Sequence, residues 1–231
     1  MISDNLKRIR DKISAICGRC GKNFSEIVLV GVTKYANPSQ IKEMVEAGVT
    51  HIGENRIQEA QEKFAQLGGA LAGVTKHMIG HLQTNKVKYA VELFDLIQSV
   101  DSLKLIEEIE KQAQKRKKVV DILLEVKTSR EEQKTGIDPS QTMDLIKAVG
   151  PCSHIRLLGL MTMAAHGEDS EIVRNCFRQL KNLFKEVKKT FAHLPNVEMK
   201  YLSMGMSDDY EIAIEEGSNM VRIGRAIFSG E

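Results

Sequence analysis

Residues Ile27 to Tyr35 read Ile-Val-Leu-Val-Gly-Val-Thr-Lys-Tyr. An apolar, β-branched run without polar alternation suits a strand covered on both faces, which is the situation of strands in a parallel sheet flanked by helices. The Asn37-Pro38 pair that follows marks the start of a helix. The run therefore restricts the chain to α/β architectures, and it ends on a lysine. In a strand Lys34 shares its face with Val28, Val30 and Val32. Apolar walls favour the neutral, nucleophilic amine, and such a lysine suits Schiff-base formation with a carbonyl. A lysine that merely snorkels to solvent is the plainer alternative, so the other strand ends must decide.

The strand–helix alternation continues along the chain. Ile2 to Cys20 has helical periodicity through Leu6, Ile9, Ile13 and Ile16 and stops at Gly21. After the first strand, Pro38 opens a helix that stops at Gly48. Strands are expected at Val49–Gly53, Lys76–Gly80, Phe94–Gln98, Val119–Val126, Ile155–Leu160, Glu198–Leu202 and Asn219–Ile223, with helices between them. A loop should run through Gly136, and the helix of Asp208 to Glu215 should be followed by almost no eighth helix. About eight strands, each leading into a helix, predict one (β/α)8 TIM barrel over residues 1–231, with an extra N-terminal helix over the gap left by the short last unit. A doubly wound open sheet is the alternative, but no Gly-x-Gly-x-x-Gly turn follows the first strand.

Composition excludes several functions. A net charge of +2 provides no electrostatic case for nucleic acid or an anionic membrane. Apolar runs are too short to span a bilayer, and the first segment is amphipathic, unlike a signal peptide, so a cytoplasmic protein is expected. Of four cysteines, Cys17 and Cys20 form a Cys-x-x-Cys with no second pair to complete a zinc site. The run Lys115-Arg116-Lys117-Lys118 suits a helix C-terminus.

In such a barrel the site forms where the C-terminal strand ends converge. Lys34, Asn55, His81, Ser99, Lys127, Thr162, Ser203, Ser207, Arg222 and Gly224 all fall at or just past expected strand ends. Ser207 alone reads as the cap of its helix, with Asp208 and Asp209 in the first turn. Taken with Gly224 after the eighth strand, a phosphate clamp is the equal alternative, provided the two aspartates turn away. A carbonyl-binding lysine and a phosphate clamp together describe pyridoxal 5′-phosphate (PLP). Arg222 alternates with Gly224 on one face of the last strand and would lie beneath the ring. A guanidinium cannot surrender its proton, so it would keep the pyridine nitrogen unprotonated and the ring a weak electron sink.

Several stretches closely resemble the pyridoxal phosphate homeostasis proteins, which are the YggS-type proteins of bacteria and the proline synthetase co-transcribed homologue of mammals. These stretches are Val32-Thr33-Lys34, Gly53-Glu54-Asn55-Arg56, Ile79-Gly80-His81-Leu82-Gln83-Thr84-Asn85-Lys86, Gly159-Leu160-Met161-Thr162, Leu202-Ser203-Met204-Gly205-Met206-Ser207-Asp208-Asp209 and Val221-Arg222-Ile223-Gly224. The resemblance runs through almost the whole chain in order. It implies a barrel like the N-terminal domain of alanine racemase, PLP on Lys34, phosphate held by Ser207, Gly224 and the backbone of Arg225, and Arg222 facing the pyridine nitrogen. Many relatives have a small hydroxyl residue at the position of Arg225, so only its backbone is carried over. The expected cofactor-binding set is Lys34, Asn55, Ser203, Ser207, Arg222, Gly224 and Arg225, with no catalytic residue and no metal ligand.

The implied role is PLP and vitamin B6 homeostasis without established catalysis. PLP-dependent apoenzymes or amino acids are the expected partners and a monomer the expected state. A chain that ends just after the eighth strand would lack a second domain to close over a substrate. The alternatives are a PLP-dependent amino acid racemase or lyase, with Tyr35, His81 or Lys127 as base, and a cofactor-free lysine aldolase.

Overall fold

The computed structural model describes residues 1–129, 135–164 and 169–230. Within them eight parallel strands close into a barrel in sequence order: β1 (Val28–Val32), β2 (His51–Glu54), β3 (Thr75–Met78), β4 (Leu96–Val100), β5 (Val120–Glu125), β6 (Ile155–Met161), β7 (Val197–Ser203) and β8 (Met220–Ile223). Strand β1 closes the ring, with Val30 in register with His51 of β2 on one side and Arg222 of β8 on the other. The helices are α1 (Ile2–Cys20), α2 (Pro38–Glu46), α3 (Ile57–Leu67), α4 (Val87–Leu93), α5 (Leu103–Lys115), α6 (Thr142–Val149), α7 (Ser170–Thr190), α8 (Tyr210–Glu215) and α9 (Arg225–Phe228).

Strand alternation sorts the apolar residues into two cores. Val30, Leu96, Leu123, Leu158, Met161 and Met220 fill the lumen. A larger layer, including Ile52, Ile97, Ile122 and Leu124 from the strands and Ile41, Phe64, Ile106 and Leu180 from the helices, lies between barrel and helices. Each fully buried aliphatic side chain contributes about 1.5–3 kcal/mol. Helix starts follow local chemistry. Asn37 accepts from the Gln40 N–H while the Gln40 side chain accepts from the Asn37 N–H, with Pro38 in the first turn. Ser102 caps α5 and Asp169 caps α7.

The single TIM-type barrel and the N-terminal helix are as expected. Helix α1 packs against α2, α8 and α9, and its Asn5 Nδ2 donates to the Ile227 carbonyl at 2.9 Å. It thus covers the seam where the barrel closes. Most strand boundaries shift by one or two residues from expectation, and three shifts have a local cause. Strand β1 stops at Val32, because the chain turns at Lys34–Tyr35 before Asn37 caps α2. Strand β4 starts two residues later than its apolar run, because the Phe94 N–H still closes α4 on Ala90. Ser99 is therefore buried inside β4 and is not a strand-end residue. Helix α8 starts at Tyr210, two residues later than expected, and only the four-residue α9 follows β8, in keeping with an almost absent last helix. Most of the loop expected before Gly136 lies outside the described residues. Among the described residues no helix is long and apolar enough to cross a membrane.

Candidate functional site at the C-terminal mouth of the barrel

Past β1, the Ala36 N–H donates to the Thr33 carbonyl at 3.0 Å and closes a turn that carries half-buried Lys34. The ring of Tyr35 is 90% exposed, so it does not pack the rim, and its centroid lies 5.0 Å from Lys34 Nζ. The turn is fastened from behind. Lys63 Nζ, on α3, donates to the carbonyls of Thr33 and Lys34 at 2.7 and 3.2 Å. It also pairs at 2.9 Å with Glu54 Oε1, which receives the Thr33 hydroxyl at 2.6 Å as well.

On β8, the strand next to β1, Arg222 is buried. Its Nη1 donates to Ser203 Oγ at 2.7 Å and its Nη2 to the Thr162 carbonyl at 2.9 Å. Burial lowers its pKa to about 10, opposed by the carboxylates of Asp209 and Glu125. The group remains a cation at neutral pH. Glu125, at the end of β5, has its carboxyl pushed up by burial, while the Thr135 hydroxyl at 2.6 Å acts against that shift.

The loop after β7 is folded by its aspartates. Gly205 takes φ +99, and a side chain there would strike Ala213. Asp209 Oδ1 accepts from the Met206 N–H at 2.5 Å, which delays the helix to Tyr210. Ser207 consequently does not cap α8. Its Oγ instead accepts from the Ala226 N–H in α9 at 3.3 Å, tying the two loops together. Burial raises the Asp209 pKa, with the Met206 N–H and Arg222 opposing. Asp208 pairs with the Arg225 guanidinium, so the Arg225 side chain is committed there. Gly224 follows β8 so closely against β1 that a Cβ would lie 3.2 Å from Val32 Cβ and from the Val32 carbonyl.

Lys34, Ser203, Ser207, Arg222, Gly224 and Arg225 therefore collect on the β7, β8 and β1 sector. Asn55, half-buried past β2, occupies the next sector, where it lines a cavity of about 320 Å³ with Arg56, His81 and Lys86 among others. His81 is 54% exposed and its Nδ1 lies 3.5 Å from Asp101 Oδ2. It is not a core histidine. The Lys127 N–H donates to the Ile137 carbonyl at 2.8 Å beyond β5.

The family described as alanine racemase, N-terminal domain, matches residues 5–231. The chain is 39% identical over 225 residues to the pyridoxal phosphate homeostasis protein of Aquifex aeolicus, covering 97% of this chain and 96% of that one. It is 38% identical to the protein of the same name from Escherichia coli K12, covering 98% and 95%. The chain belongs to the pyridoxal phosphate homeostasis protein family. Among solved structures, PipY of Synechococcus elongatus with PLP bound superposes with a TM-score of 0.85 at 31% identity, covering 99% of this chain and all of that one.

For a pyridoxal phosphate homeostasis protein, the strand-end reading of the sequence found the residues at the mouth but not those behind it. The sequence assigns no role to Lys63, Glu125, Gln98 or His77, and it places Asp209 only in the first turn of its helix. Glu54, Gln98 and Glu125 did carry a signal, since each is a polar residue inside or at the end of an otherwise apolar strand. Lys63 carried none, because its place on a helix looks like that of any solvated lysine.

Proposed function

We propose that this chain holds PLP at the C-terminal mouth of its barrel with Lys34 as the tether, and serves intracellular PLP (vitamin B6) homeostasis as a carrier without catalysis. The names of its relatives and the PLP-bound PipY structure support the reading. The observation that carries it is the buried Arg222 guanidinium, set between the Lys34 turn and the Ser207–Gly224 loops and held by Ser203 and Thr162. An amine, a donor-only cation and a glycine-lined backbone cradle fit the aldehyde, ring nitrogen and phosphate of PLP.

When bound, PLP supplies an aldehyde that bonds to amines and a ring that withdraws electrons. Lys34 offers the amine. Arg222 keeps its proton at neutral pH and can only donate, so a ring nitrogen facing it remains unprotonated and withdraws weakly. Ser207, Gly224 and the backbone N–H of Arg225 would hold the phosphate. The aspartates beside them do not oppose it, because Asp209 is turned to the Met206 N–H and Asp208 is paired with Arg225. Ser203 would act by holding Arg222, and Asn55 would border the adjoining cavity.

A racemase or lyase would need a base across the ring from Lys34. Tyr35 is turned out to solvent, which favours the carrier. The carrier would act as a single-domain cytoplasmic monomer and exchange PLP with apoenzymes or amino acids. Absorbance of the purified protein titrated with PLP tests the reading: a band near the visible edge is expected, lost in Lys34→Ala. A protein that stays colourless overturns it. Lys34-dependent exchange of amino acid α-protons in heavy water, at a useful turnover, would instead establish the enzyme.

A further inference from the structure

The lumen of an eight-stranded α/β barrel is ordinarily packed with branched aliphatic side chains. Three consecutive strands here place polar ones: His51 on β2, His77 on β3 and Gln98 on β4. Both His77 and Gln98 are buried. They form one connected series with Ser203 and Arg222. Arg222 Nη1 lies 2.7 Å from Ser203 Oγ, Ser203 Oγ 2.7 Å from Gln98 Oε1, Gln98 Nε2 2.8 Å from His77 Nδ1, and His77 Nε2 2.9 Å from His51 Nδ1. The link between Ser203 and Gln98 crosses from β7 to β4, so the series bridges the lumen from wall to wall.

Its direction follows from one end. A guanidinium has donors and no acceptor, so Ser203 Oγ accepts from Arg222 and spends its single proton on Gln98 Oε1. That fixes the Gln98 amide with Nε2 toward His77, whose Nδ1 must accept. Its other N–H points at Met220 Sδ, 3.3 Å away. His77 is then the Nε2–H tautomer and donates to His51 Nδ1. Every bond runs the same way, from β8 to β2. A neutral His77 is required throughout, and burial, then the neighbouring His51, depress its pKa to about 3.

We propose that Gln98 and His77 are positioning residues for Arg222: through Ser203 they hold the guanidinium in the orientation it presents to bound PLP, and the tautomer of His77 sets the direction of the series. The inference rests on the reading of Arg222 as the group that faces the PLP ring. The series orders the hydroxyl of Ser203 so that its lone pair, and never its proton, meets Arg222. Reversing the amide of Gln98 would remove the acceptor of the Ser203 proton and turn that proton toward the guanidinium. Gln98→Glu imposes a defined change, because a carboxylate accepts at both oxygens and would convert His77 to the Nδ1–H form.

Two measurements on the full chain test this. Nitrogen-15 NMR of the imidazoles, without cofactor, should show His77 as the Nε2–H tautomer, and Gln98→Glu should shift it to Nδ1–H. A wild-type His77 that is Nδ1–H or doubly protonated at neutral pH overturns the proposal. Titration with PLP should then show Gln98→Leu binding about tenfold more weakly, from the loss of support to a charged donor. The pH at which the bound-PLP band changes form should also move, which loss of packing alone would not cause. Ser203→Ala, a smaller change that severs the same series, should move both readouts in the same direction and serves if Gln98→Leu does not fold. Binding within twofold of wild type and an unmoved pH profile in both variants overturn the positioning role alone. A wild-type protein that gives no PLP band overturns the functional reading together with this role.

Discussion

Lys63 Nζ lies 2.9 Å from Glu54 Oε1 directly behind the turn that carries Lys34, and its remaining donors go to the carbonyls of Thr33 and Lys34. Both partners are withdrawn from water, with side-chain exposures of 14% for Lys63 and 0% for Glu54. Breaking such a pair from one side leaves a buried charge uncompensated, typically at a cost of about 3–5 kcal/mol. Lys63→Met should therefore destabilise the protein by that order in urea unfolding, and the turn that carries Lys34 should loosen with it. Adding Glu54→Gln should recover much of the loss, because it removes the stranded charge. Equal stability of the single and double variants would show that the pair does not fasten the turn.

Gly224 joins the last strand to the proposed phosphate cradle at a point where a Cβ would sit 3.2 Å from Val32. That contact is the obstacle to a side chain there. Gly224→Ala should cost about 1 kcal/mol of stability by overpacking. Its effect on PLP titration should be larger, since the same shift moves the loop proposed to hold the phosphate. A variant with reduced stability and unchanged PLP affinity would remove Gly224 from the cradle.

His77 makes stability depend on pH with a definite sign. Its folded pKa, near 3, lies below the ordinary value of 6.5, so between those values the unfolded chain binds more protons. Stability from this group is complete above pH 6.5 and falls as the pH drops toward 3, by at most about 1.4 kcal/mol per pH unit. Glu125 and Asp209 act oppositely, because burial raises their pKa values and favours the folded state as they take up protons. Unfolding of wild type and His77→Gln at pH 6.5 and 5 separates the two effects. The stability difference between the proteins should shift in favour of the variant as the pH falls.

The barrel could be read in the chain because β1, β5 and β6 are mostly apolar runs and Gly, Pro or a capping residue punctuates the alternation, as at Gly48, Gly217 and Asn37-Pro38. The mouth residues were legible for the same reason, since a polar group at the end of such a run has little to do in a core. What could not be read was partnership. Ser207 has the sequence of a cap, but Asp209 reaches the Met206 N–H first and leaves Ser207 to Ala226. Phe94 has the sequence of a strand residue, but its N–H completes α4. The lumen series of His51, His77 and Gln98 requires knowing that three successive strands bring those side chains inward together. No spacing within one strand reports that.

The commitment of Arg225 to Asp208 separates two ways of holding a phosphate. If the backbone N–H of Arg225 is the contact, the guanidinium is dispensable, because an exposed ion pair contributes about 0–1 kcal/mol. Arg225→Ala should then change PLP affinity by no more than about threefold. Ser207→Ala removes a hydroxyl that already accepts from the Ala226 N–H and would donate to a phosphate oxygen. A hydrogen bond to a charged group contributes about 1.5–3 kcal/mol, so this variant should lose roughly tenfold or more in affinity while unfolding at nearly the wild-type urea concentration. Inverted results, a large loss with Arg225→Ala and none with Ser207→Ala, would mean that the guanidinium leaves Asp208 to hold the phosphate itself.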